Sequence, residues 1–188
     1  MMLKTCLDSA RNVPGDYIEF GVFAGESAVP IARAAQTAGK VYHGVDGFRG
    51  MGKPGPRDYD KDGGCWYPAG KFSGRTVSEI EKRLRGHGVK RQSFCIWCGM
   101  VPDVLATIAI DKIAFAYVDL DHYAPTKAAL DWVLARLSPG GIMLCDDWTP
   151  SCEQCASGAI NEFIEQHPNM PREVKGRMVA FTNTGDLL

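Results

Sequence analysis

No run of about 18 apolar residues occurs in this chain, so nothing in it reads as a membrane span. A basic excess is also absent. The 21 Lys and Arg against 22 Asp and Glu leave a formal net charge of -1, so nucleic acid and anionic membranes are not expected partners. The N-terminus has no basic segment leading into an apolar core, so no secretory leader is expected. Seven cysteines are an odd number in a chain of 188 residues, which is large enough to fold without staples; reduced thiols and a cytoplasmic location are expected. Repeats, low-complexity tracts and linkers are missing, and 45% hydrophobic with 23% charged residues suit one folded domain over 1–188. At the turn after the first predicted strand the pattern is Glu-x-Gly-x-x-x-Gly and not Gly-x-Gly-x-x-Gly, and the glycine missing there weighs against a dinucleotide pyrophosphate.

What is present alternates between two periods. Leu3, Cys6, Leu7 and Ala10 have helical spacing and precede a turn at Pro14-Gly15. Residues 17–23 predict a strand, followed by a helix from about Gly25 to Gly39 with Pro30 in its first turn. Val41 to Asp46 predicts a second strand. A long segment, 47–74, rich in Gly, Pro, Asp and aromatics, reads as a functional loop on the acceptor side. Thr76-Val-Ser-Glu79 has capping-box spacing and opens a helix. Further strands are predicted at 93–98, 113–119, 142–145 and 178–182. Helices are predicted at 101–109, from Pro125 with Leu137 on its apolar stripe, and at 156–167; Ser138-Pro-Gly-Gly141 reads as a tight turn. The alternation predicts an α/β fold, a doubly wound, mostly parallel sheet flanked by helices.

Two places on such a sheet carry chemistry. The first is Tyr17 to Arg33, a strand that turns on glycines into a helix. Gly21 and Gly25 let the backbone approach a ligand, and the helix N-terminus favours a carboxylate or phosphate. Asp46, at the tip of the next strand, is placed for the two hydroxyls of a ribose, and Glu19 suits an amino group. S-adenosylmethionine carries a carboxylate, an ammonium and a ribose, and so matches all three features. The second place is a set of acids, Asp119 and Asp121 leaving one strand and Asp146 and Asp147 leaving the next. Carboxylates that close together repel unless a cation neutralises them. A hard cation such as Mg²⁺ takes such oxygens and can lower the pKa of a bound hydroxyl.

With these residues in place the chain resembles the class I S-adenosylmethionine-dependent methyltransferases. Within them it is similar to the macrocin O-methyltransferase family of metal-dependent sugar O-methyltransferases. The matching segments are Val13-Pro-Gly-Asp-Tyr-Ile-Glu-Phe-Gly-Val-Phe-Ala-Gly25, Val45-Asp-Gly-Phe48, Gly70-Lys-Phe-Ser73, Tyr117-Val-Asp-Leu-Asp-His-Tyr123 and Ser138-Pro-Gly-Gly-Ile-Met-Leu-Cys-Asp-Asp-Trp148. The resemblance implies a seven-stranded sheet and O-methylation of a hydroxyl on a sugar, glycoside or related small molecule. It implies cofactor contacts at Glu19, Gly21, Gly25, Ser27, Asp46 and Asp119, with Gly99 and Met100 beside the adenine. It implies Mg²⁺ on Asp119, Asp146 and Asp147. Beside the metal ligand Asp119, Asp121 and His122 are both candidates for the general base or its support. Relative to the family, few residues precede the first strand, and segment 47–74 matches least. A homodimer in which a neighbour lends cover to the site is the corresponding expectation.

Other patterns carry less. Cys95-x-x-Cys98 and Cys152-x-x-Cys155 have zinc-knuckle spacing, but the first lies in a strand that would send its two thiols to opposite faces. Asp58-x-Asp60-x-Asp62-Gly63 imitates an EF-hand start, yet Ala69 stands where the bidentate Glu belongs. Trp66, Tyr67 and Phe72 form either a wall for the acceptor or a tuck of the loop onto the body, and Trp148 is expected in the pocket. Two other classes remain open: a nucleotide-cofactor oxidoreductase on the same topology, and a domain that holds cofactor without turnover.

Overall fold

The computed structural model describes residues 2–185. Seven strands form one sheet: β1 (Asp16–Phe20), β2 (Tyr42–Asp46), β3 (Phe94–Cys98), β4 (Ile113–Val118), β5 (Leu137–Cys145), β6 (Arg172–Lys175) and β7 (Met178–Thr182). Their order across the sheet is β3-β2-β1-β4-β5-β7-β6. β1 to β5 pair in parallel, whereas β7 is antiparallel to both β5 and β6. The helices are α1 (Met2–Ser9), α2 (Ala28–Thr37), α3 (Val77–Gly86), α4 (Tyr123–Leu134) and α5 (Cys155–Gln166). Among the described residues, none of them is long and apolar enough to cross a membrane.

The two-residue period of a strand sends alternate side chains to two cores. On one face Tyr17 and Phe115 pack with Leu3 and Leu7 of α1, Ile31 of α2 and Leu84 of α3. On the other, Ile18, Phe20 and Val118 pack with Leu130 and Val133 of α4 and Ile160 and Phe163 of α5. β4 lies at the middle of the sheet and all six of its residues are buried, as its unbroken apolar run requires. The capping box of α3 forms as its spacing predicts. Thr76 Oγ1 accepts from the Glu79 N–H at 3.3 Å, and the Thr76 N–H donates to Glu79 Oε2 at 2.8 Å.

Four local expectations are corrected. Residues 138–141 do not form a separate turn; they lie within β5. Ile113 pairs with Leu137 and Phe115 with Ile142, so a long bulge absorbs the Ser-Pro-Gly-Gly segment. Asn183 secures it: Gly140 N–H donates to the Asn183 carbonyl at 2.6 Å, and Asn183 Nδ2 donates to the Leu137 carbonyl at 2.6 Å. Leu137 consequently leaves the helix stripe and joins the strand. Residues 101–109 give only a 3-10 turn at Asp103–Thr107. Finally, β6 is a strand that the residue pattern does not reveal, because all four of its residues are exposed and it has no apolar face to show.

Candidate active site

The C-terminal ends of the parallel strands open onto a cavity of about 640 Å³. Its wall includes Gly21, Asp46, Gly99, Met100, Asp119, Asp121, His122, Asp146 and Asp147 of the residues singled out in the sequence. Segment 47–74 supplies much of the remainder, including Met51, Lys53, Tyr67, Lys71 and Phe72. Glu19, which is fully buried, Gly25 and Ser27 are not among its lining residues.

The cofactor-side features begin at the end of β1. Gly21 adopts φ +91°, and a Cβ there would sit 1.8 Å from the Asp119 carbonyl oxygen. The strand therefore ends at Phe20 and not at residue 23. Glu19 points into the sheet, is fully buried, and accepts hydrogen bonds from the Ser27 and Tyr42 hydroxyls. Burial pushes its carboxyl up to about 7, against the pull of those two hydroxyls. Asp46 ends β2 and accepts the Phe23 N–H at 2.8 Å and the Phe48 N–H at 2.6 Å. Each oxygen keeps a second lone pair. Gly47 is a close approach: a Cβ there would meet Met100 Sδ at 2.2 Å, so Met100 packs down on the strand end.

The acidic end of the cavity holds an arrangement that the sequence order does not reveal. Carboxylate oxygens of Asp119, Asp121 and Asp147 lie within 4.8 Å of one another. Asp146 takes no part in this group. Its Oδ2 accepts the Tyr117 hydroxyl at 2.7 Å and its Oδ1 accepts the Asp147 N–H at 2.8 Å. The separation of two adjacent acids follows from the backbone: Asp147, like Asp121, adopts φ +59°, which turns its side chain away from the strand alternation. Non-glycine residues at positive φ gather around this cavity, Phe23 and Phe72 among them, as backbone strain does at functional sites. Burial first, then the charges of Asp146, Asp121 and Asp147, push Asp119 up to about 8. Burial, with hydrogen bonding to Asp147 next, pushes Asp121 up to about 7.

His122 is 4% exposed, and its Nε2 lies 2.7 Å from the Tyr67 carbonyl oxygen. A carbonyl only accepts, so Nε2 carries a proton, and in the tautomer that this contact selects Nδ1 is the acceptor. Tyr67 also reaches the acids, its hydroxyl 3.4 Å from Asp147 Oδ2. Segment 47–74 is thus fastened down over the site. Asp58, which imitates an EF-hand ligand in sequence, is buried and accepts the N–H groups of Gly55 and Tyr123, capping the start of α4 from outside. Arg57 donates to the Glu153 carbonyl and stacks 4.1 Å from the Tyr123 ring. Of the three loop aromatics, Tyr67 and Phe72 line the cavity, while Trp66 is 63% exposed. Trp148 does not line it; its Nε1 donates to Asn161 at 2.8 Å and its ring packs on the core beneath α5. One participant escapes sequence reasoning altogether. Arg177 Nη2 lies 2.5 Å from Asp147 Oδ1. Its only signal is Lys175-Gly-Arg-Met178, a two-residue turn with glycine first, which predicts a hairpin.

These raised carboxyls set a pH dependence. Glu19, Asp119 and Asp121 hold their protons more tightly in the fold than at their ordinary values of 4.5, 3.8 and 3.8. The stability they contribute is therefore fully present below the unfolded values and is lost as pH rises through about 7 to 8. In chelator, the midpoint of thermal unfolding should fall by roughly 5 °C or more between about pH 6 and about pH 9. Scanning calorimetry reads it, and a midpoint unchanged or rising over that interval would show that the acids are already compensated.

A doubly wound sheet of this order, with a cavity at the strand ends, belongs to the Rossmann-like O-methyltransferase fold, as comparison with solved structures bears out. The O-methyltransferase NovP superposes with a TM-score of 0.77 at 21% identity, covering 97% of this chain and 78% of that one. The calicheamicin methyltransferase CalS11 superposes with a TM-score of 0.79 at 20% identity, covering 98% and 78%. More particularly, the chain belongs to the macrocin-O-methyltransferase (TylF) family, whose model matches residues 2–175. It is similar to the mycinamicin III 3''-O-methyltransferase of Micromonospora griseorubida, 25% identical over 174 residues, 88% of this chain and 67% of that protein. It is similar also to the demethyldecarbamoylnovobiocin O-methyltransferase of Streptomyces niveus, 25% identical over 167 residues, 86% of this chain and 63% of that protein. The chain thus spans about two thirds of the length of these relatives.

Proposed function

We propose that the chain is an S-adenosylmethionine-dependent, Mg²⁺-dependent O-methyltransferase acting on a hydroxyl of a sugar, glycoside or related small molecule. The observation that carries this reading is the juxtaposition in one cavity of a glycine-turn cradle with Asp46 and a convergent triad of carboxylates. Family membership and the printed activities of the relatives support it.

The residues fit both groups. At the cofactor end, Asp46 has lone pairs for a ribose, Gly21 and Gly47 leave the strand ends bare, and Gly99 and Met100 form the neighbouring wall for a flat base. Glu19 acts from below, holding Ser27 at the start of α2. At the acidic end, three carboxylates, of which Asp119 and Asp121 hold protons well above the ordinary range, form a crowded oxygen set whose one ion-pair partner among the described residues is the exposed Arg177. Asp119, Asp121 and Asp147 would hold Mg²⁺, with Asp146 orienting Asp147 through its N–H. When bound, Mg²⁺ supplies Lewis-acid stabilisation of an oxygen that is losing its proton. With Asp121 turned into that group, His122 is the better placed of the two base candidates. Its Nε2 proton is held on Tyr67, which leaves Nδ1 to take a proton from the acceptor. Tyr67 and Phe72 give the acceptor an apolar wall, and segment 47–74 limits the access of water.

Calorimetric titration of the full chain with S-adenosylhomocysteine, with Mg²⁺ and with both tests the reading. Saturable binding of each is expected, with the Mg²⁺ signal abolished in an Asp119→Asn/Asp147→Asn variant. Failure to bind S-adenosylhomocysteine would overturn the cofactor assignment. Cofactor binding with a Mg²⁺ response that persists in the variant would overturn the metal assignment alone.

A further inference from the structure

The hairpin of β6 and β7 brings a cation to the acids. β7 runs antiparallel to β5 with Val179 opposite Cys145, so the turn before β7 arrives at the rim where β5 ends in Asp146 and Asp147. Gly176 and Arg177 make that turn, Gly176 at φ +62°. The Arg177 carbonyl accepts the Trp148 N–H at 2.8 Å, which fixes the turn against the residue following the acidic pair. From there the guanidinium reaches Asp147 at 2.5 Å. Among the described residues no other side chain makes an ion pair with Asp119, Asp121 or Asp147. Lys71 of segment 47–74 bears on Asp121 through its charge but makes no ion pair with the cluster: it donates to the Trp66 carbonyl at 2.8 Å and lies over the Tyr67 and Phe72 rings.

We propose that Arg177 is the resident counter-ion of the carboxylate cluster, holding Asp147 in the cation-free protein and competing with a divalent cation for it. This rests on the metal reading above. Two physical features make competition the outcome rather than cooperation. A guanidinium bonded to one oxygen of Asp147 withdraws charge from the ligand set and repels a dication that shares it. The Arg177 side chain is 64% exposed at a hairpin tip, so it can turn into water at little cost, and an exposed pair of this kind is weak against a dication held by three carboxylates. Arg177 would therefore tune cation affinity downward and keep the cluster neutralised until a cation arrives.

The test uses the full chain and measures Mg²⁺ affinity by titration calorimetry and thermal unfolding in chelator. Arg177→Met is expected to bind Mg²⁺ on the order of tenfold more tightly, the size of removing one charge from ~5 Å of a dication in a water-like dielectric. Arg177→Lys, which keeps the charge, should remain near the wild-type affinity. In chelator Arg177→Met should melt below the wild type, and that loss should vanish in an Asp147→Asn background. Equal or weaker Mg²⁺ binding by Arg177→Met, with wild-type binding intact, would overturn the competition alone and make Arg177 an orienting group. Absence of Mg²⁺ binding in both the wild type and Arg177→Met would overturn the competition and the metal reading together.

Discussion

Asp147→Asn is expected to lower kcat/KM for methyl transfer by about 10²- to 10³-fold, the loss seen when one stabilising group for a developing oxyanion is removed. The substitution is nearly isosteric and deletes one charge from the group that Asp119, Asp121 and Asp147 form. The fold should lose little, because the main partner lost is Arg177, whose side chain is 64% exposed. The cofactor end should be untouched, since Glu19 and Asp46 take their hydrogen bonds from Ser27, Tyr42, Phe23 and Phe48. Steady-state kinetics with an accepted glycoside, beside S-adenosylhomocysteine titration, separate these effects. Turnover within tenfold of the wild type would mean that the acids do not activate the acceptor. A collapse of S-adenosylhomocysteine affinity would make Asp147 a cofactor ligand instead.

Gly21→Ala is expected to be the most damaging single methyl in the chain. The φ of +91° is one that L-residues rarely adopt, and the new Cβ would lie 1.8 Å from the Asp119 carbonyl oxygen. Neither neighbour can yield alone. Gly21 N–H donates to the Val45 carbonyl at 2.9 Å, and Asp119 N–H donates to the Phe20 carbonyl at 2.9 Å, so the ends of β1, β2 and β4 are tied together. Relief requires β4 to shift, and β4 leads directly into Asp119 and Asp121. A loss of about 4 kcal/mol or more is expected, large enough to leave little folded protein. Denaturant unfolding measures it, with Gly39→Ala as a comparator: that glycine also has a positive φ, +71°, but nothing stands within 4 Å of its missing Cβ. Loss of both cofactor and Mg²⁺ binding in any folded remainder would follow from the same displacement. A variant as stable as the wild type would show that the strand ends are looser than this packing requires.

Features whose physics is local were legible in the chain. The capping box of α3 needs only residues three apart, and it forms. The apolar run of β4 needs only a sheet covered on both faces, and every residue in it is buried. The glycine turn after β1 and the acids after β4 and β5 likewise came from spacing within a few residues. What local spacing could not supply was partner choice. Asp58 reads as a cation ligand until α4 is placed beside it, when its carboxylate turns out to cap Tyr123. Asp146 and Asp147 are equivalent in sequence, but Tyr117 engages the first and a left-handed backbone aims the second at Asp119 and Asp121.

The sequence alone therefore determined the class of fold and the end of the sheet at which chemistry is expected, because periodicity, glycine turns and terminal acids act over a few bonds. Only the tertiary structure decided which three acids converge, that His122 is held by Tyr67 through Nε2, and that an exposed hairpin carries Arg177 to Asp147. Each of those joins segments about 26 to 55 positions apart through sheet register and loop docking. Such contacts are settled by how layers pack, a constraint that no short window of sequence contains.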